Sequence, residues 1–87
     1  HTMLANCEQA GQLVENVSGG MAGASASYED LWKFTLVNYN AGPGCLGEAL
    51  DITQSEDLEL TWENLTPHLA TACQGAIDYV NQISAPP

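Results

Sequence analysis

Asn38-Tyr39-Asn40-Ala41-Gly42-Pro43-Gly44 is the stretch that decides the fold. It lies between an amphipathic segment, 28–37, and another apolar one, 45–50. Gly42 can adopt the positive φ that stops a helix. Pro43 has its φ preset for the first turn of the next helix and lacks an N–H that would go unbonded there. The stretch therefore predicts a helix–helix corner. Its Tyr and Asn side chains fall where one helix ends and the next begins, a common way to line a groove.

Helical spacing continues on both sides. Toward the N-terminus, Leu4, Cys7, Ala10, Gly11, Val14 and Val17 recur on one face, and Gly19-Gly20 closes the segment. The loop 18–27 is rich in Gly, Ala and Ser and predicts a flexible, exposed connection. Ser27 with Asp30 three residues on reads as a capping-box variant. The apolar face that follows is Tyr28, Leu31, Trp32, Thr35, Leu36 and Tyr39, with Glu29 and Lys33 spaced to pair outside.

Beyond the corner, a short helix is expected from Pro43 to Leu50, then an acidic connection at 51–60. Thr61 caps one turn through Trp62 and Leu65. Leu69, Ala72, Cys73, Ala76, Ile77, Val80 and Ile83 predict a last helix that Ala85-Pro86-Pro87 ends. No two-residue hairpin turn stands between alternating apolar residues. The fold class is all-α: a small helical bundle forming one domain over residues 1–87. Trp32, on an inner face, is expected in the core. Of the two, Trp62, beside the acidic stretch, is the better candidate for an exposed contact, although packing is the favoured reading for it as well, and His68 reads as a surface residue.

Eighty-seven residues with a hydrophobic fraction of 45% can bury one modest core. Eleven acids face a single base, Lys33, giving a formal net charge of −10. No basic patch can be assembled, which argues against nucleic acid and anionic lipid. No apolar run approaches the ~20 residues of a membrane span, and a chain starting at His1 rather than Met reads as a processed product or a segment of something longer. The densest acidic region, Asp51, Glu56, Asp57, Glu59 and Glu63, lacks the D-x-D-x-D-G spacing of a calcium loop. There is no C-x-x-C pair for zinc, and no metal or other cofactor is implied. The triplets Asn16-Val17-Ser18 and Asn64-Leu65-Thr66 match a glycosylation acceptor that arises often by chance.

Tyr39-Asn40-Ala41-Gly42-Pro43-Gly44 resembles the A-Y-N-A-G-P-G motif of lytic transglycosylases, lysozyme-like enzymes that cut peptidoglycan glycan strands. Only the leading Ala differs, replaced by Asn38. The helix, loop and second helix preceding the motif match the family's order, so the resemblance covers roughly residues 5–50. It implies a partial lysozyme-like fold, with Tyr39 as a supporting tyrosine near the catalytic acid and Asn40, Ala41 and Gly42 as groove wall. The family's acid lies in a Glu-Ser element upstream, followed by Gly-Leu-Met-Gln, and neither has a counterpart in these residues. Glu8 and Glu15 fall on what would be the following helix and do not inherit the role.

A peptidoglycan-related or secreted fold also permits oxidation, which favours a disulfide between Cys45 and Cys73 over two small buried thiols. Cys7 is then left over: buried and inert, or bonded to a partner chain or to a missing N-terminal segment. Three functions follow. The chain is the back part of a transglycosylase domain whose catalytic half lies elsewhere; or a domain without the acid, serving as a glycan-binding or structural subunit outside the cytoplasm; or an enzyme using Glu48 or Asp51. The second is the expectation carried forward, with no catalysis by this chain on its own. The acidic face and Cys7 are the expected contacts for a partner polypeptide.

Overall fold

The computed structural model describes residues 2–83, and among them there is no strand. Six helices run in order: α1 (Thr2–Ser18), α2 (Ala22–Ser25), α3 (Tyr28–Ala41), α4 (Pro43–Ser55), α5 (Trp62–Leu65) and α6 (Gly75–Ile83). Two 3-10 turns, Thr66–His68 and Thr71–Cys73, stand between α5 and α6. The small all-α bundle is as expected. The proposed Ala85-Pro86-Pro87 stop lies outside the described residues.

Helix α3 is the central element, packed against α1, α4, α5 and α6. Five consecutive residues, Phe34, Thr35, Leu36, Val37 and Asn38, are buried. A helix enclosed on all sides has no single apolar stripe. That is why the face predicted from Tyr28 to Tyr39 is displaced: Tyr28 and Tyr39 are exposed, while Phe34 and Val37 are fully enclosed. Around them close Ala10 and Val14 of α1, Leu46, Ala49 and Leu50 of α4, and Val80 of α6. Each large side chain removed from water contributes about 1.5–3 kcal/mol. The hydroxyls of Thr35 and Thr53 are spent locally, donating to the carbonyls of Leu31 at 2.8 Å and Ala49 at 2.7 Å.

Caps set the ends of α3. Ser27 Oγ accepts from the Asp30 N–H at 3.1 Å and donates to Asp30 Oδ2 at 2.7 Å, which is the capping pair read from the sequence. The other carboxylate oxygen, Oδ1, accepts the Trp62 N–H at 2.8 Å, so one residue caps α3 and anchors α5. Thr61 caps α5 by accepting from Asn64 N–H at 3.1 Å.

Several expectations are corrected. Leu4 and Cys7 lie on the outer side of α1, because Asn6, Ala10, Leu13 and Val14 turn inward instead. The 18–27 segment contains α2, held to α1 by the Ala22 N–H on Glu15 Oε2 at 3.3 Å, and Ala26 is buried. Helix α4 runs five residues past Leu50. It ends where Asp57 takes φ 64° and Leu58 N–H reaches back to the Thr53 carbonyl at 3.2 Å, a Schellman-type closure. The last helix begins at Gly75, six residues after Leu69. Trp62 is buried at 9% exposure, while Trp32, expected in the core, is half-buried and packs against the core's edge. Among the described residues the single ion pair joins His68 to Glu56, so Glu29 and Lys33 stay unpaired with each other.

Candidate functional site

The corner is built as its residues dictate. Gly42 takes φ 94° and ψ 167°, a region only glycine enters at low cost, and its N–H closes α3 on the Asn38 carbonyl at 3.0 Å. Its own carbonyl accepts the Leu46 N–H at 3.3 Å, so α4 starts at once with Pro43 in the first turn. Chain direction changes within one residue.

The side chains of the motif divide between interior and surface. Asn38 is 2% exposed, and its Nδ2 donates to Asn6 Oδ1 and Gln9 Oε1, both at 2.8 Å. Two α1 amides therefore hold the end of α3, and this gives a reason for Asn where the resembling motif carries Ala. Tyr39 and Asn40 point the other way and are exposed, while Ala41 and Gly42 are half-buried. The Tyr39 ring lies 6.4 Å from that of Tyr79 on α6, with 27° between their planes. Tyr39 and Tyr79 thus form an aromatic pair, with exposed Asn40 next to Tyr39 in the chain. Tyr79 is absent from the sequence reading, since nothing along the chain ties residue 79 to residue 39.

The Cys45–Cys73 disulfide is present and fastens the first turn of α4 to the chain just ahead of α6, closing 28 residues. It therefore stands between the two helices whose neighbours carry Tyr39 and Tyr79. Cys7 is free and exposed on α1, which removes the reading of it as a buried thiol.

A cleft of about 310 Å³ is lined by the 23–27 segment, Asp30 and the 59–61 segment. It includes none of Tyr39, Asn40, Ala41 and Gly42, so those residues form an open surface outside this cleft. Glu48 and Asp51 are exposed on α4. Among the described residues no three His, Cys, Asp or Glu side chains gather closely enough to hold a metal ion. None of the described helices is long and apolar enough to cross a membrane.

One arrangement imitates a catalytic triad. Thr53 Oγ1 lies 3.2 Å from His68 Nδ1, and His68 Nε2 lies 2.9 Å from Glu56 Oε1. The Thr53 hydroxyl, however, is fully buried and engaged with Ala49, out of reach of any substrate. The cluster is structural, and His68 is half-buried within it rather than a plain surface residue. No known protein family, no curated protein and no solved structure matches this chain.

Proposed function

We propose that these residues form a lysozyme-like, transglycosylase-related helical domain that carries out no glycosidic cleavage by itself and contacts glycan through Tyr39 and Asn40, outside the cytoplasm. The observation that carries this reading is the exposed Tyr39 ring paired with that of Tyr79, with exposed Asn40 next in the chain. A flat aromatic surface buries the apolar face of a sugar ring. An amide offers two donors and an acceptor to hydroxyl or acetamido groups. A glycan with little charge meets no penalty from a chain of net charge −10.

Chemistry is assigned elsewhere for a physical reason. A general acid at a glycosidic bond needs surroundings that raise its pKa, and a retaining or inverting pair also needs a second carboxylate at defined separation. Solvent reaches both Glu48 and Asp51, and the Glu-Ser element of the resembling enzymes has no counterpart here. The disulfide fits an oxidising compartment. A second reading, in which a catalytic half on another segment or chain packs alongside, draws on the outward-facing Leu4 and Cys7 of α1.

The test is an NMR titration with soluble N-acetylglucosamine oligosaccharides. Shifts are expected at Tyr39, Asn40 and Tyr79. Tyr39→Phe should leave the fold intact and weaken binding about fivefold, the loss of roughly one hydrogen bond. Equal affinity in the variant removes the Tyr39 hydroxyl from the contact, and no shifts at this surface in the wild type removes the glycan contact itself.

A further inference from the structure

Both ring nitrogens of His68 face acceptors. Nδ1 is 2.9 Å from the Asn64 carbonyl oxygen and 3.2 Å from Thr53 Oγ1, and Nε2 is 2.9 Å from Glu56 Oε1. A carbonyl oxygen and an ionised carboxylate only accept. Thr53 already gives its proton to Ala49, so toward the ring it offers lone pairs. Turning the hydroxyl to serve a bare Nδ1 would still leave the Asn64 carbonyl against a lone pair. The set is fully bonded only when both nitrogens carry protons.

These bonds cross between two segments that also meet through the buried Leu65 and Leu69. Thr53 and Glu56 belong to the end of α4; Asn64 lies on α5, and His68 on the 3-10 turn after it. We propose that His68 is a protonation-operated latch that fastens the α5 segment and its 3-10 turn to the end of α4, closed with the doubly protonated ring and loosened when the ring becomes neutral.

The charged groups on α4, α5 and the connection between them are all acidic. From α4 the facing group is Glu56, 55% exposed in its side chain against 16% for His68, with Glu48 and Asp51 exposed further back on that helix. Asp57 and Glu59 lie on the connection and Glu63 on α5, while the one basic residue, Lys33, is on α3. The latch therefore holds while the ring carries both protons and loosens when it loses one. It also weakens at the acid extreme, where Glu56 itself is neutralised.

Thermal melts of the wild type, His68→Gln and Glu56→Gln across about pH 5 to 9 bracket the ordinary range of imidazole. The wild-type Tm should fall with rising pH by roughly 4–8 °C more than that of His68→Gln. Glu56→Gln should show a reduced slope. His1 and the remaining carboxylates are common to wild type and His68→Gln, so their titration cancels in that difference. Parallel Tm curves for wild type and His68→Gln overturn the latch. A measurement on the wild type alone covers the case of a variant that does not fold: ring ¹⁵N spectra together with amide hydrogen exchange at residues 62–68. Exchange there should quicken as the ring loses its second proton. Protection unchanged through the ring's titration overturns the proposal as well.

Discussion

The α3–α4 corner and the stretch from Thr61 to Cys73 are both sharp changes of chain direction, yet they are encoded differently. At the corner, Gly42 and Pro43 carry the instruction in their own backbones. Between 61 and 73 the chain breaks into one helical turn and two 3-10 turns, although Leu69, Cys73, Ala76 and Val80 hold helical spacing. Distant groups hold that stretch in place: Asp30 takes the Trp62 N–H, Thr53 and Glu56 hold His68, and Cys45 holds Cys73. Local backbone chemistry can be read along a chain. Bonds across 12 to 32 residues cannot.

The largest expected effect comes from the one link that belongs to both regions. Replacing Cys45 and Cys73 together by Ser should cost about 3–4 kcal/mol through the unfolded chain's regained freedom, seen as a Tm lower by more than roughly 10 °C. An unchanged melting temperature would mean that non-covalent packing alone seats the 61–73 stretch. Next, Gly42→Ala should destabilise by about 2 kcal/mol purely through backbone conformation, since an added Cβ meets no atom within 4 Å. If urea denaturation shows less than half that loss, the corner is held by tertiary contacts and the contrast collapses.

A smaller effect tests the other region. Asp30→Ala removes the carboxylate that accepts from Trp62 and should cost about 1.5 kcal/mol. Hydrogen exchange should place the excess loss of protection at residues 62–65, beyond the global change. Uniform loss along the chain would make Asp30 only a cap of α3. The smallest effect is a gain. Asp57→Gly should stabilise by about 0.5–1 kcal/mol, because φ 64° strains any residue with a side chain. A lower Tm for this variant would show that the Asp57 side chain does more at the end of α4 than follow the backbone.

The same division governs what was legible at the site. Ser27, Gly42, Pro43 and Thr61 act on neighbouring backbone and were readable at their positions. The end of α4 was not, since aspartate rarely marks a left-handed stop and Asp57 looked like one more acid in a charged connection. Trp62 is more deeply buried than Trp32 for a tertiary reason: the Asp30 carboxylate holds the start of α5 against α3. Tyr39 and Asn40 were singled out from the motif, but their separation from Asn38 depended on where α1 lies. Tyr79 entered only when α6 packed against α3.

By itself, the sequence determined an all-α chain, a corner at Gly42–Pro43, the capped start of α3 and a strongly acidic surface, all consequences of single residues or of spacing within one helix. Tertiary structure alone decided that α3 is enclosed on every side, that Asn38 faces two amides of α1, and that Tyr39 meets Tyr79. It also decided that His68 closes on Glu56. The reason is physical: a cap or a positive φ depends on atoms within a few residues, whereas burial and hydrogen-bond partners depend on which helix arrives from elsewhere in the chain.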